Sequence, residues 1–212
     1  MSRPLLLDLF CGAGGAAMGY DQAGFEVVGV DIKPQPHYPF EFIQGDALNW
    51  LERWGEWPPY AAIHASPPCQ AYTQAQRLQK NEHPDLLPES RRLLDATGRP
   101  YVIENVPGAP MPNYVQICGQ GIGLQVRRHR WFESNRPLMG VPCHHTWPYL
   151  TIYGHAAEWR HGTHERFRTS ALAGKDAMGV PWMTRDEMAQ AIPPAYTQFI
   201  GEQLLEHLAR VA

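Results

Sequence analysis

The first thirty residues constrain the fold most, because they read PLLLDLFCGAGGAAMGYDQAGFEVVGVD from Pro4 onward. The apolar run from Leu5 to Leu9 predicts a buried strand, and the glycines after it predict a tight turn. The next stretch predicts a helix that ends near Gly24, and a second apolar run predicts a strand that ends at Asp31. Together they form a β-α-β unit, which places two parallel strands side by side.

The alternation of strands and helices continues as far as Asn105. Further strands are predicted in FEFIQ, YAAIHAS and PYVIEN, and further helices in DALNWLERW and LLPESRRLLDATG. Beyond Asn105 the pattern changes to a predicted loop, VPGAPMPN, and a predicted strand in LQVRRHRWFES. The chain is therefore expected to be an α/β protein with a mostly parallel sheet.

Three regions are expected along the chain. Residues 1–134 would form the main domain, and residues 135–180, which are rich in Pro, Gly, His and aromatic residues, would form a small irregular module. Residues 181–212 would return to the main sheet through a C-terminal helix in PPAYTQFIGEQLLEHLARV, whose apolar residues recur at helical spacing.

Composition limits the class of protein. With 212 residues and 44% hydrophobic residues, the chain can bury a sizeable core. Neither an apolar run long enough to span a membrane nor a signal peptide is apparent, so we expect a cytoplasmic protein and no membrane partner. Four widely spaced cysteines without a CxxC pair suit a reducing compartment. The net charge of -3 neither indicates nor excludes nucleic-acid binding.

Polar and glycine residues gather where the predicted strands end, which is where open α/β sheets bind ligands. Acids after successive strands suit a nucleoside-like cofactor, and the turn CGAGGAAMG departs from the dinucleotide pattern GxGxxG. S-adenosylmethionine, which has no pyrophosphate, fits that difference. The candidate cofactor-binding residues of these first three strand ends are Asp8, Phe10, Gly12, Gly14, Gly15, Asp31 and Asp46.

The next two strands bring a thiol and a carboxyl, Cys69 and Glu104, to the same edge of the sheet. With them, the segments DLFCGAGG, GD, SPPCQAYT, IENV, RRHR and IPPAYTQFIGEQL follow one another in the order typical of DNA (cytosine-5)-methyltransferases. The chain resembles that family from Leu6 to about Leu205. The resemblance implies a Rossmann-like S-adenosylmethionine-dependent methyltransferase fold, with residues 1–134 as the catalytic and cofactor-binding domain and 135–180 as a reduced target-recognition module.

The resemblance also implies roles for individual residues. Cys69 would add to carbon 6 of cytosine, and Glu104, with a pKa raised by burial, would share a proton with N3. A nearby arginine would help to form the thiolate. The family's Q-x-R-x-R segment selects either Arg127 and His129 or Arg128 and Arg130; we favour the second pair, because alternation in a strand would point both to one face. The base that removes the carbon 5 proton is not identified.

Double-stranded DNA is the partner that the resemblance implies, with the target base flipped out of the helix. Pro68 would contact the cofactor, and the segment QAQRLQKNEH after Cys69 has the composition of a lid, although a solvated loop is the alternative. The basic run around residues 160–175 would contact phosphates and a few base edges, which suggests a short or relaxed recognition site. The expected DNA or substrate contacts are Pro67, Gln70, Arg77, Lys80, Asn105, Arg160, Arg166 and Arg168.

The sequence is compatible with several other functions and residue roles. AQAIPP departs from the family's usual Gly-Asn-Ser stretch, which leaves the cofactor contacts there open. An RNA cytosine methyltransferase, an enzyme for free cytosine nucleotides and a catalytically silent DNA-binding remnant are the competing functions. Cys11 is expected to pack, and PCHHTW, with Cys118 upstream, is expected to be a polar loop rather than a metal site. We expect a monomer without an obligate protein partner, in a bacterial or phage-infected cell.

Overall fold

Seven strands form the main sheet of the protein. The computed structural model describes residues 2–56, 59–72, 84–153, 156–162 and 165–211. The sheet order is β3-β2-β1-β4-β5-β7-β6; the first five strands run parallel, and β7 runs antiparallel to both of its neighbours. The strands are β1 (Leu5–Leu9), β2 (Glu26–Asp31), β3 (Glu41–Gln44), β4 (Ala62–Ala65), β5 (Tyr101–Asn105), β6 (Tyr114–Cys118) and β7 (His129–Ser134).

The helices cover both faces of this sheet, which explains why its central strands are apolar on both sides. Two apolar clusters fill the space, one beneath the first and last helices and the other beneath the second and third. The helices are α1 (Gly15–Ala23), α2 (Ala47–Glu52), α3 (Leu87–Thr97), α4 (Ala171–Met178), α5 (Arg185–Gln190) and α6 (Pro194–Val211). The predicted α/β class and mostly parallel sheet are confirmed.

The contact between α1 and α6 is unusually close. A Cβ atom on Gly19 of α1 would overlap the carbonyl oxygen of Pro194 and the hydroxyl of Thr197. The Thr197 hydroxyl instead donates a hydrogen bond to the carbonyl oxygen of Ala16. This close approach holds the C-terminal helix against the start of the chain.

Residues 135–180 are more regular than the sequence suggested. They contain an antiparallel sheet in the order β10-β9-β8, followed by α4. The strands are β8 (Tyr149–Tyr153), β9 (Ala156–His161) and β10 (Glu165–Arg168). Leu150, Ile152 and Ala157 of the small sheet are buried in a third apolar cluster together with Met178 of α4. The apolar face of this sheet therefore packs against α4. The expectation of an irregular module is therefore wrong.

Two further differences concern the edge of the main sheet. β6 was not predicted, and the strand predicted in LQVRRHRWFES begins only at His129. Arg128 therefore precedes the strand, and the alternation argument that paired it with Arg130 does not apply. Among the described residues, no helix is long and apolar enough to cross a membrane.

Candidate active site

The turn after β1 carries a strained aromatic residue. Phe10 is half-buried and has a φ of 57°, and it is the only non-glycine residue with positive φ in the described parts of the chain. A left-handed conformation costs a residue with a Cβ atom about 1–2 kcal/mol. Such strain often lies at functional sites. Phe10 directly follows β1, at the carboxyl edge of the sheet, and its side chain packs against the second apolar cluster.

The three candidate glycines of this turn have different reasons for being glycine. Gly12 has a φ of 50°, and a Cβ atom there would meet no other atom within 4 Å. At Gly14 a Cβ atom would lie 2.7 Å from Cδ of Pro39, and at Gly15 it would overlap the carbonyl oxygen of Ile192. Close packing thus explains Gly14 and Gly15, and the positive φ explains Gly12. Beside Gly12 there is open space.

Two of the candidate acids hold backbone in place. Asp31 accepts hydrogen bonds from the backbone N–H groups of Gly12 at 3.0 Å and Lys33 at 2.9 Å, which ties the end of β2 to the glycine turn. Asp46 accepts from the N–H of Leu48 at 2.8 Å and caps α2. Capping explains the presence of Asp46 without a ligand, so its cofactor contact stays a prediction.

Asp8 in β1 is a buried acid without a partner. It is 0% exposed, and neither of its carboxyl oxygens makes a hydrogen bond. Burial raises the pKa of Asp8 well above its ordinary value, and the charge of Asp31 adds to the rise. The buried Tyr38 hydroxyl opposes the rise but does not lie in hydrogen-bonding geometry. A positively charged ligand beside β1 would stabilise ionised Asp8, and the unpartnered carboxyl is in this respect compatible with a sulfonium cofactor.

The loop after β4 presents the candidate nucleophile. Cys69 is half-buried, and its carbonyl oxygen accepts a hydrogen bond from the N–H of Tyr72 at 2.9 Å, forming one tight helical turn. The side chain of Asn105, at the end of β5, donates to the carbonyl oxygen of Pro67 at 3.1 Å. Asn105 is buried, so its position anchors the loop from the neighbouring strand. Pro68, which lies between Pro67 and Cys69 in the sequence, is half-buried.

Glu104 of β5 forms an ion pair at the same edge of the sheet. Nε of Arg130 lies 2.8 Å from Oε1 of Glu104, and both side chains are almost buried. The approach lacks hydrogen-bonding geometry, so Oε1 keeps its capacity to accept a hydrogen bond. The carboxyl also interacts with the Ser66 hydroxyl, which lies on the loop that carries Cys69.

Arg128 links the site to the rest of the molecule. Its guanidinium donates to the carbonyl oxygens of Ile152 at 3.0 Å and Ala189 at 2.7 Å, which belong to β8 and α5. Its own carbonyl oxygen accepts from the Tyr196 hydroxyl of α6 at 2.5 Å. Burial lowers the pKa of Arg128, but the delocalised guanidinium remains protonated at neutral pH.

The two arginines act on the Cys69 thiol in the direction that the sequence argument expected, but burial opposes them more strongly. Burial raises the pKa of Cys69, and Glu104 raises it further; Arg130 and Arg128 lower it by less. The resting thiol is therefore protonated, because desolvation outweighs the two positive charges. The pKa of Glu104 is also raised by burial despite both arginines, in the direction that the sequence argument required.

A buried histidine behind Glu104 was missed in the sequence. His64 of β4 is 0% exposed; its Nδ1 lies 3.0 Å from the Tyr20 hydroxyl and its Nε2 lies 2.8 Å from the Ser66 hydroxyl. Burial lowers the pKa of His64 to about 3, so the ring is neutral. This chain of contacts orients Ser66 towards Glu104. The serine directly before the proline pair was the available signal.

The structure describes only some of the candidate DNA-contacting residues, and these do not all lie at one place. Arg77 and Lys80 lie outside the described residues, as does the predicted lid. Gln70 is exposed beside Cys69. On the small sheet, Arg166 and Arg168 are exposed, whereas Arg160 is mostly buried and lies 3.5 Å from a carboxylate oxygen of Glu158. Arg160 and Arg166 are directly opposite each other in the register.

Comparison with known proteins supplies the family. Residues 5–114, just over half of the chain, match the model of the C-5 cytosine-specific DNA methylase family. The chain is 29% identical over 139 residues to the Type II methyltransferase M.XorII of Xanthomonas oryzae pv. oryzae. That match covers 58% of this chain and 32% of the relative, so the chain spans about a third of the relative's length.

Two solved structures have a similar fold over almost the whole chain. The S. pombe Dnmt2 methyltransferase superposes with a TM-score of 0.68 and 12% identity, covering 97% of this chain and 99% of that one. The Entamoeba histolytica methyltransferase EhMeth gives a TM-score of 0.66 and 10% identity, covering 98% and 99%. These likenesses establish a methyltransferase fold. With the match that spans β1 to the start of β6, they show that this chain belongs to the C-5 cytosine-specific DNA methylase family.

Proposed function

We propose that the protein transfers a methyl group from S-adenosylmethionine to carbon 5 of a flipped-out cytosine in double-stranded DNA, through a transient bond between Cys69 and carbon 6. The observation that carries this proposal is the placement of a half-buried thiol and a protonatable carboxyl at the carboxyl ends of adjacent parallel strands, with two arginines acting on both. A thiol nucleophile and an acid in one pocket suit addition to a pyrimidine ring.

The chemistry assigns one task to each side chain. The Cys69 sulfur loses its proton to solvent water and forms a bond to carbon 6, and the electrons of the 5,6 double bond make carbon 5 nucleophilic. Glu104 gives or shares a proton at N3, where the added negative charge accumulates. After carbon 5 has taken the methyl group, a base removes the carbon 5 proton, the 5,6 double bond re-forms, the Cys69 thiolate is expelled and the N3 proton returns to Glu104.

The cofactor would occupy the edge of the sheet beside the glycine turn. S-adenosylmethionine, when bound, supplies a methyl group on a positively charged sulfur that leaves as a neutral thioether. Asp8 would stabilise positive charge, Asp31 would accept the ribose hydroxyls, and the ring of Phe10 would pack on adenine. The open space beside Gly12 is the support for placing the ligand there.

The small sheet favours a nucleic acid over a free nucleotide as the substrate. Like charges directly opposite each other destabilise a sheet, and Arg160 and Arg166 form such a pair in the register of β9 and β10. A phosphate backbone would relieve that repulsion. The match of residues 5–114 to the model of a DNA methylase family favours DNA over RNA.

Transfer of labelled methyl tests the function. The protein is incubated with labelled S-adenosylmethionine and with duplex DNA, RNA or free cytosine nucleotide in separate reactions. We expect label only in duplex DNA, and none with Cys69→Ser. Label confined to RNA or nucleotide would overturn the substrate, methylation by Cys69→Ser would overturn the thiol mechanism, and no labelling of any substrate by the unmodified protein would indicate a silent binding protein.

A matched pair of variants tests the DNA-binding surface. Replacing Arg166 and Arg168 together by Gln should weaken binding to duplex DNA at least about 10-fold at low salt and reduce its salt dependence, since each phosphate contact releases counterions. Arg210→Gln, which changes an exposed arginine at the end of α6, is the control and should bind as the unmodified protein does. Equal affinities of the two would contradict the assignment of this surface.

A further inference from the structure

Four metal-ligating side chains meet away from the candidate active site. One potential ligand atom from each of Cys118, His129, Cys143 and His145 lies within 4.8 Å of the other three. In the described part of the chain, this is the only group of three or more Cys, His, Asp or Glu residues with that arrangement. The cluster joins residues from three places in the sequence, at positions 118, 129 and 143–145.

The fold builds this cluster from two neighbouring strands and one connecting segment. Cys118 is the last residue of β6 and His129 is the first residue of β7, and the two are directly paired in the antiparallel register. Cys143 and His145 come from the segment between β7 and β8, where they are separated by one residue. Cys118 is fully buried, whereas His145 is exposed, so the cluster reaches from the core to the surface.

The distances suit a tetrahedral metal ion. Zinc binds Cys sulfur at about 2.3 Å and His nitrogen at about 2.0–2.1 Å, so a tetrahedral site separates S and N by roughly 3.5 Å. Sγ of Cys143 lies 3.4 Å from Nε2 of His129, and Sγ of Cys118 lies 3.6 Å from Nε2 of His145. The third such pair, Cys143 and His145, is closer, at 2.6 Å, and would have to open.

We propose that these four residues bind one structural zinc ion. Two thiolates and two imidazoles form a ligand set that zinc prefers, and four protein ligands fill its tetrahedral shell. No coordination position is then left for a substrate or a reactive water, so the ion is structural. The sequence favoured a polar loop here because the ligands lack paired CxxC spacing; the β6–β7 register supplies one half of the set instead.

The ion would position the two arginines of the candidate active site. His129 lies between Arg128 and Arg130, which flank it at the start of β7. Cys143 and His145 lie on the segment that leads from the main sheet to β8. Zinc would therefore fix the start of β7 to the connection between the two sheets. Chelation should loosen that connection as well as slow the reaction.

Metal analysis of the purified full chain tests the site without relying on activity. We expect one zinc ion per chain by elemental mass spectrometry. Substitution with Co²⁺ should give the visible absorption of tetrahedral cobalt together with a thiolate-to-cobalt charge-transfer band. Cys143→Ala and His145→Ala, which change the more exposed ligands, should lower the zinc content to a small fraction of that value.

The controls separate this site from the reaction and from general loss of folding. Cys69→Ser and Cys11→Ala should each keep one zinc ion per chain, although Cys69→Ser abolishes methyl transfer. Circular dichroism establishes that each ligand variant is folded. The proposal is overturned if the unmodified protein, purified with zinc present, contains no metal and its Tm does not rise on adding zinc. It is also overturned if folded Cys143→Ala and His145→Ala retain full zinc content.

Discussion

Asp8→Asn should change how stability depends on pH. Asp8 is fully buried without a hydrogen bond, and burial raises its pKa well above the ordinary value. The folded protein therefore binds a proton at Asp8 more tightly than the unfolded chain, in which the pKa is about 3.9. The stability that protonated Asp8 contributes is complete below about pH 4 and is lost as the pH rises through the folded-state pKa.

The expected change in the free energy of unfolding is that of one titrating group, because Asp8 binds one proton. Within that window, the free energy of unfolding falls by up to about 1.4 kcal/mol per pH unit through Asp8 alone. Asn does not titrate. As the pH rises, the free energy of unfolding of Asp8→Asn should therefore increase relative to that of the unmodified protein, by up to that amount per pH unit. Urea unfolding at several pH values measures it. Glu104 and His64, whose pKa values are also shifted, are common to both proteins, so their contributions cancel in the difference.

S-adenosylmethionine provides the second half of this test. A ligand at 100 times its Kd stabilises the folded protein by about 2.7 kcal/mol. We expect this stabilisation for the unmodified protein and little of it for Asp8→Asn, which lacks the negative charge. A stability difference that does not vary with pH would refute the unpaired, buried state of Asp8. Equal stabilisation of both proteins by the cofactor would refute its role in the pocket.

Three further changes have defined outcomes. Arg130→Gln leaves Glu104 without its ion-pair partner at 2.8 Å and should slow single-turnover methyl transfer about 100-fold, equivalent to roughly 2.7 kcal/mol; an unchanged rate would contradict the pairing. Phe10→Gly should be more stable to urea than Phe10→Ala by about 1 kcal/mol, because glycine adopts a φ of 57° without strain, and the opposite order would argue against that strain. Gly19→Ala should lower the free energy of unfolding by about 1–3 kcal/mol, since its methyl group would overlap the carbonyl oxygen of Pro194, and full stability would show that α1 and α6 are farther apart.

The elements that local patterns define were predictable from the sequence. β1, the glycine turn and α1, which ends at Gly24, follow from apolar runs and turn residues that lie next to one another in the chain. The end of each strand could then be assigned to one edge of a parallel sheet, which brought Cys69 and Glu104 together. The raised pKa of Glu104 was expected from the role that the resemblance implies, because that role needs a carboxyl that can hold a proton.

The remaining features depend on contacts between distant segments. The register of β6 and β7 pairs Cys118 with His129, and the spacing of these residues in the sequence does not predict that pairing. Arg128 is buried because β8 and α5 supply carbonyl oxygens to its guanidinium, not because of strand alternation. The pKa of Cys69 depends on how desolvation compares with two opposing arginines, and that comparison needs the three-dimensional arrangement.

A mechanism-based trap measures the covalent step most directly. Duplex DNA containing 5-fluorocytosine has no carbon 5 proton to remove, so a sulfur bonded to carbon 6 cannot be expelled after methyl transfer. With S-adenosylmethionine present, mass spectrometry of the digested protein should find the modified base on the peptide that contains Cys69. An adduct on another residue, or active protein that turns over cytosine but forms no adduct with the fluorinated duplex, would contradict the account.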